Sequence, residues 1–315
     1  MYREKPAVSG ATHGQITQEI LNKVRQVEIR THRLVNDSLA GNYHSVFRGC
    51  GMNFEEVRAY VAGDDIRSID WNVTARTGCP HVKKFTEERE LTIVLLIDIS
   101  GSGEFGSTHA LKRELMAELG SLLAYSAVRN DDKVGLILFT DRIELFIPPK
   151  KGRSHILRVI REILFFQAAG RGTDLCGPLD FLNRILHRRS IAFLLSDFCL
   201  PGDFAASLTA LQPVLRLTNR RHDLIALHVS DPREYELPDI GWITLEDAET
   251  GEQYDIDTSR PETRRDYADL SQSRKSELHR SIRATGIDLL DISTDRPYLP
   301  ALLGFFGNRM KRKAR

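Results

Sequence analysis

The pattern of apolar residues is clearest between Leu91 and Ile97, where a short run rich in β-branched residues ends at Asp98. Such a run is typical of a strand that is buried on both faces of a parallel sheet. A buried helix would give the same periodicity, but the run spans only about seven residues and Gly101 follows closely, which favours a strand. The pattern therefore predicts a core strand over residues 91–98.

Strand-like and helix-like patterns alternate after this strand. Further buried strands are predicted at 134–139, 191–196, 224–229 and 287–292. Helices are predicted between them, at about 109–129, 154–166, 174–188, 204–217 and 264–284. The pattern is completed by an edge strand at 144–147 and by a hairpin of 242–245 with 253–256. Because alternating strands and helices form parallel sheets with right-handed crossovers, the predicted fold class is α/β, with a mostly parallel sheet flanked by helices.

The part of the chain before residue 91 carries a different pattern. Apolar positions on one face predict a helix over 16–39, and the polar residues 1–15 are expected to be flexible. Residues 41–90 are dense in charge, but aromatic residues lie between the charges, which favours a small folded subdomain with short strands over disorder. Trp71 and Phe85 are the expected buried anchors of this subdomain.

The last segment, 298–315, joins an apolar stretch to a cluster of basic residues. We expect a docked helix with a frayed basic end; the alternative is contact with an anionic membrane surface, to which one short amphipathic patch would anchor only weakly. The predicted organisation is a flexible N-terminus, a helix with a charged β-rich subdomain, a main α/β domain and a basic tail, at 1–15, 16–90, 91–297 and 298–315.

Composition and charge exclude several classes of function. The 315 residues carry a formal net charge of +1, which provides no electrostatic field for nucleic acid or a membrane surface. No apolar run approaches the roughly 20 residues needed to span a bilayer, and the N-terminus has no signal-peptide core, so a cytoplasmic protein is expected. The four cysteines form no C-x-x-C pair, which gives no indication of a zinc or redox site.

Candidate chemistry lies at the ends of the predicted strands. Asp98, Ser100 and Ser102 follow the first core strand, Thr173 opens a helix after a glycine-flanked loop, and Asp197 follows another core strand. Parallel strands bring their carboxyl ends to one edge of the sheet, where ligands bind. Hard oxygen atoms suit Mg²⁺, Mn²⁺ or Ca²⁺ far better than Zn²⁺. Two carboxylates and three hydroxyls would leave one octahedral position for water or an outside ligand.

Each of these residues also has an ordinary structural explanation. Asp98 and the two serines can shape a turn, Asp197 can belong to a turn, and Thr173 followed by Asp174 fits a helix N-cap and a first-turn acid. Taken together, in this order and on these elements, the five residues favour a metal site for Mg²⁺ or Mn²⁺.

This arrangement resembles the von Willebrand factor type A domain with its metal-ion-dependent adhesion site. A more specific resemblance is to a bacterial and archaeal family called domain of unknown function 58, whose members carry such a domain. The resemblance runs from about residue 16 to the C-terminus, and the block 49–102 is highly specific. The segments that resemble the family's hallmark are 51–58, 63–72, 74–76, 83–85 and 87–91. The family often has Met after the second serine, where this chain has Gly103.

The resemblance implies a binding module without assigned enzymatic chemistry. Members of the family are commonly encoded beside a MoxR-type AAA+ ATPase and are thought to act with it in chaperone-like assembly or activation of other proteins. The metal would then accept a carboxylate from a partner protein. The alternative is a metal-dependent phosphoryl-transfer enzyme on a related α/β sheet. It is disfavoured because Ser100 replaces the second, acidic Asp of haloacid-dehalogenase-like phosphatases, and because the P-loop pattern G-x-x-x-x-G-K-[ST] is absent.

Overall fold

The structure is a computed structural model that describes residues 53–61, 64–86, 91–108 and 110–313. The flexible segment predicted at 1–15 and the helix predicted at 16–39 lie outside the described residues.

Ten strands and seven α-helices lie within the described ranges. The strands are β1 (Asn53–Ala59), β2 (His81–Thr86), β3 (Thr92–Asp98), β4 (Lys133–Phe139), β5 (Ile143–Lys150), β6 (Ile191–Ser196), β7 (Asp223–Ser230), β8 (Trp242–Glu246), β9 (Gln253–Asp257) and β10 (Asp288–Ser293). The helices are α1 (Trp71–Thr77), α2 (Lys112–Arg129), α3 (Arg153–Phe165), α4 (Cys176–Ile185), α5 (Phe204–Arg221), α6 (Pro261–Ala284) and α7 (Tyr298–Lys313).

A six-stranded sheet with the order β10-β7-β6-β3-β4-β5 forms the centre of the molecule. Its strands are parallel, except that β5 runs antiparallel to β4 at one edge. Within this sheet, β3 is the first strand along the chain and lies in the interior. The chain then adds β4 and β5 on one side of β3 and continues with β6, β7 and β10 on the other side. Because the winding direction reverses between β3 and β6, the carboxyl ends of these two strands form the topological switch point, which is the crevice where open α/β sheets bind ligands.

Helices cover both faces of this sheet. Side chains alternate along β3, so that Ile93, Leu95 and Ile97 join one core cluster and Val94 and Leu96 join the other. The first cluster includes apolar residues of α2, α3 and α7, and the second includes apolar residues of α4, α5 and α6. The α/β class is therefore confirmed, and the sheet has the mostly parallel, helix-flanked form expected of a von Willebrand factor type A-like domain.

The predicted element boundaries differ from the observed ones mainly at helix ends. β6 has the predicted bounds, whereas α5 continues four residues beyond the predicted end, past Pro213 in its interior. The edge strand β5 extends through Pro148 and Pro149, which a strand at a sheet edge tolerates because one side of its backbone has no strand to pair with.

The described part of the charged subdomain contains the antiparallel pair β1–β2 and the short helix α1. Asp70 is buried and caps α1, since its carboxylate accepts the N–H groups of Asn72 and Val73. The expectation that Trp71 is a buried anchor is wrong, because this residue occupies the first position of a helix without buried residues and is 68% exposed. The side chain of Phe85 lies outside the described part of the chain.

The C-terminal segment is an integral helix of the main domain rather than a separate basic tail. Leu302 and Phe306 of α7 are buried in the first core cluster, as a docked helix requires. Arg309 is buried and pairs with Asp223 and Asp288 at the starts of β7 and β10. The described helix includes the basic residues up to residue 313, and the predicted fraying of its end stays a prediction. Within the described ranges, no helix combines the length and apolar character needed to cross a bilayer.

Candidate functional site

Asp98 is the last residue of β3 and lies in the crevice at the switch point. Its side chain is buried, and its Oδ1 accepts the Ser100 N–H at 3.0 Å while its Oδ2 accepts the Ser196 hydroxyl at 2.7 Å. The Ser100 side chain also hydrogen-bonds to it. In the described chain the Asp98 carboxylate thus has hydroxyl and backbone donors but no cationic partner, although it is removed from water.

Ser100 and Ser102 lie on a short 3-10 turn that follows β3. Their hydroxyl oxygens are 3.1 Å apart and both side chains are buried. The turn is held against the loop before α4 by the Gly101 N–H, which donates to the Arg171 carbonyl at 2.9 Å. The Ser102 hydroxyl also hydrogen-bonds to Asp197, so this turn connects the ends of β3 and β6.

Asp197 follows β6 and forms an ion pair with a buried lysine. Lys112 Nζ, on the first residue of α2, donates to Asp197 Oδ2 at 2.6 Å and also contacts the Glu234 carboxylate. The other carboxylate oxygen of Asp197 accepts the Cys199 N–H at 3.1 Å. One of the two predicted carboxylates is therefore neutralised by a residue that the sequence analysis did not include.

Thr173 lies before α4, but its hydroxyl does not cap this helix. The capping hydrogen bonds are made by Asp174, whose carboxylate accepts the N–H groups of Cys176 and Gly177 at 2.8 and 3.1 Å. The buried Thr173 hydroxyl instead donates to Glu249 Oε1 at 2.6 Å. Glu249 belongs to the turn between β8 and β9 and lies close enough to Asp197 for their charges to interact.

The two aspartates are in opposite electrostatic situations. Burial, together with the nearby Asp197 charge, raises the pKa of Asp98 to about 7. Burial alone would also raise the pKa of Asp197, but the Lys112 ammonium and the Ser102 hydroxyl lower it overall. The pKa of Glu249 is raised by burial and by the charge of Asp197. Among the described residues, the crevice therefore holds more carboxyl groups than cations.

The structure brings all five predicted residues to one edge of the sheet. Hydrogen bonds connect Asp98, Ser100, Ser102 and Asp197. Thr173 donates to Glu249, whose charge interacts with that of Asp197. Their side chains present only oxygen atoms, which are the ligands of Mg²⁺ and Mn²⁺. A divalent cation fits this donor set, because it would neutralise the buried Asp98 carboxylate, which lacks a positive partner in the described chain.

Sequence reasoning missed four further residues that shape the crevice, namely Lys112, Ser196, Glu234 and Glu249. Ser196 could have been found, since it directly precedes Asp197 at the end of a core strand. Lys112 and Glu249 contact residues 85 and 76 positions away in the chain, so no local pattern could indicate them.

A separate group of three possible metal ligands lies between α6 and the sheet. His228 Nδ1 and His279 Nε2 both contact Asp291 Oδ1, at 2.8 and 2.9 Å, and the ligand atoms of the three residues lie within 4.8 Å of one another. His228 and Asp291 are register partners on β7 and β10. Hydrogen bonds to one carboxylate oxygen explain this geometry, and they hold α6 against the two strands.

Sequence comparison relates the chain to proteins without an assigned activity. A family model described as protein of unknown function DUF58 matches residues 56–277. An uncharacterized protein of Mycobacterium tuberculosis is 32% identical over 292 residues, which cover 91% of this chain and 89% of that protein. An uncharacterized protein of Mycobacterium bovis matches with the same identity and coverage.

Three solved structures are similar to the chain at low sequence identity. A conserved hypothetical protein, BatB from Bacteroides thetaiotaomicron, has a TM-score of 0.44 and 14% identity, covering 70% of this chain and 99% of its own. An aerotolerance-related membrane protein from Bacteroides fragilis has a TM-score of 0.48 and 13% identity, with coverages of 70% and 99%. The VWA domain of SpRpn10 has a TM-score of 0.35 and 12% identity, with coverages of 68% and 93%.

Proposed function

The chain belongs to the DUF58 family of proteins of unknown function, and we propose that it is a non-enzymatic, metal-dependent protein-binding module. The proposed ligands of Mg²⁺ or Mn²⁺ are the oxygen atoms of Asp98, Ser100, Ser102, Thr173 and Asp197. When bound, the ion supplies a positive charge to which a carboxylate of a partner protein can bind.

The observation that carries this proposal is the state of Asp98. A carboxylate in a buried position either has a cationic partner or has its pKa raised by the cost of desolvation. Asp98 has its pKa raised to about 7, and the described residues offer it no cation. A divalent ion beside Asp98 would remove this imbalance.

Lys112 makes the proposed metal site suitable for binding a carboxylate of a partner protein. Its ammonium pairs with Asp197 and Glu234, so that part of the negative charge around the ion is already neutralised. An ion with few charged ligands keeps a strong attraction for an additional anion. This favours binding of a partner over a site whose ligands satisfy the ion completely.

The proposed partner is a MoxR-type AAA+ ATPase, and the proposed role is chaperone-like assembly or activation of other proteins. Both are suggested by the family resemblance, whereas the metal-dependent carboxylate contact is suggested by the crevice. A Glu or Asp side chain of the ATPase would complete the coordination of the ion.

The experiment that tests this function compares Mn²⁺ binding by calorimetry in the wild type and in Asp98→Ala. We expect the variant to lose measurable binding while its circular dichroism spectrum is unchanged. Asp269→Ala serves as the control, because Asp269 is an exposed aspartate on α6 outside the crevice. Equal Mn²⁺ affinities in the wild type and in Asp98→Ala would contradict the proposal.

A further inference from the structure

The tip of the β8–β9 hairpin lies over the proposed metal ligands. Asp247 shapes this tip, since its carboxylate accepts the N–H groups of Glu249 and Thr250 at 2.9 and 3.0 Å and its backbone carbonyl accepts the Gly251 N–H at 2.8 Å. The position of Glu249 at the crevice is thus set by an ordered turn.

The hairpin tip contacts the crevice at two points. The Glu249 carboxylate accepts the Thr173 hydroxyl at 2.6 Å. The Ala248 carbonyl oxygen approaches Gly101 so closely that a Cβ atom at Gly101 would lie 2.5 Å from it. The absence of a side chain at Gly101 is therefore what permits the turn between Ser100 and Ser102 to meet the hairpin backbone.

The electrostatic surroundings of Glu249 are unfavourable in the absence of a cation. Asp197, Asp247 and Asp141 repel its carboxylate, and Thr173, an uncharged residue, is its hydrogen-bond partner. A half-buried carboxylate is costly when its charged neighbours are carboxylates and the described chain offers it no cation. A divalent ion shared by Glu249 and the aspartates would convert this repulsion into attraction.

We propose that Glu249 is an internal ligand of the metal and takes the coordination position that a partner's carboxylate would use. This inference rests on the proposed function. Displacement of the hairpin tip is then a requirement for partner binding, and the hairpin acts as an autoinhibitory segment. β8 and β9 form a two-stranded sheet of their own, so the tip can move without breaking hydrogen bonds of the central sheet.

The test measures how many water molecules are bound to Mn²⁺ in the full chain, by water-proton relaxation enhancement. The wild type is compared with Glu249→Ala and with Glu246→Ala, the control being an exposed carboxylate on the same hairpin. We expect Glu249→Ala to gain about one Mn²⁺-bound water, because octahedral coordination is then completed by solvent. Added acetate should displace this water in Glu249→Ala and have no effect in the wild type or in Glu246→Ala.

The possible failures of the two proposals are distinguishable. Loss of Mn²⁺ binding in Asp98→Ala, with the same hydration of bound Mn²⁺ in the wild type and in Glu249→Ala, would overturn the internal-ligand inference and leave the metal site intact. Failure of Mn²⁺ to bind the wild type, or equal binding by Asp98→Ala, would overturn the proposed function and the inference with it. If Glu246→Ala gained a Mn²⁺-bound water as well, the result would contradict the assignment of Glu249 as a ligand, since it would reflect a general loosening of the hairpin.

Discussion

Lys112 Nζ lies 2.6 Å from Asp197 Oδ2, and only 2% and 3% of the two side chains are exposed. Removing one partner of a buried ion pair leaves an uncompensated charge, at a cost of about 3–5 kcal/mol. We therefore expect Lys112→Met to lower the free energy of unfolding by about this amount in the presence of a chelator, measured by urea denaturation. Mg²⁺ should restore part of the loss, because it would neutralise Asp197.

The matched control for this variant is Lys150→Met, which removes an exposed lysine on the edge strand β5. Substitutions at such surface positions usually change stability by less than about 0.5 kcal/mol. Equal stability of Lys112→Met and the wild type in chelator would contradict the interpretation of the ion pair.

Asp98 gives the stability of the metal-free protein a defined pH dependence. Its pKa is about 7 in the folded protein, against about 3.9 for an ordinary aspartate. Between these values the folded protein binds more protons than the unfolded chain, so its stability falls as the pH rises from about 4 to about 7. The slope contributed by this group is at most about 1.4 kcal/mol per pH unit.

Asp98→Asn isolates this effect, because asparagine keeps the shape and cannot ionise. Without metal, we expect Asp98→Asn to be more stable than the wild type at pH 8 and to differ less at pH 5, as measured by urea denaturation. In the wild type, Mn²⁺ affinity should increase with pH up to about 7, since the ion binds the ionised carboxylate. A pH-independent difference in stability would show that Asp98 does not titrate in this range.

Ser196 positions Asp98 without being one of the proposed metal ligands. Its hydroxyl donates to Asp98 Oδ2 at 2.7 Å, and hydrogen bonds to charged groups contribute about 1.5–3 kcal/mol. In Ser196→Ala we expect the Asp98 pKa to rise above about 7 and the Mn²⁺ affinity at pH 7 to fall about threefold to tenfold.

Ser126→Ala is the control for this substitution, because Ser126 is also buried but donates to the Leu122 carbonyl within α2. Its Mn²⁺ affinity should match that of the wild type. Loss of affinity in both variants would indicate a general effect of removing a buried hydroxyl.

Arg309 explains why the C-terminal helix belongs to the main domain. It is buried and pairs with Asp223 and Asp288, whereas Arg312 contacts Asp288 from a position that is 63% exposed. We expect Arg309→Ala to lower the free energy of unfolding by about 3 kcal/mol or more, and Arg312→Ala to lower it by less than about 1 kcal/mol, as measured by urea denaturation. Similar losses in the two variants would mean that burial does not decide the strength of these pairs.

The sequence was most informative where the place of a residue in the fold follows from the local pattern. Asp98 ends one core strand and Asp197 directly follows another, and the rule that parallel strands share a carboxyl edge was sufficient to place them together. The interpretation of Thr173 required the structure, because only there is it evident that Asp174 caps α4 and leaves the threonine hydroxyl for Glu249. Trp71 shows the opposite case, since an aromatic residue among charges was expected to be buried and is exposed.

The residues that sequence reasoning missed depend on loop conformation. Lys112 and Glu249 reach the crevice from the start of α2 and from a hairpin turn, and neither position is fixed by strand alternation. The distance along the chain from Lys112 to Asp197, or from Thr173 to Glu249, matches no helix or strand period that would predict a contact. The core of the site was therefore predictable from topology, whereas its electrostatic balance was not.

The most direct test of the central claim is a crystal structure of the full chain with Mn²⁺, using the anomalous difference map to locate the ion. The account predicts a peak at the carboxyl ends of β3 and β6, in contact with Asp98, Ser100 and Ser102. No peak at this position, or a peak only beside His228, His279 and Asp291, would contradict it.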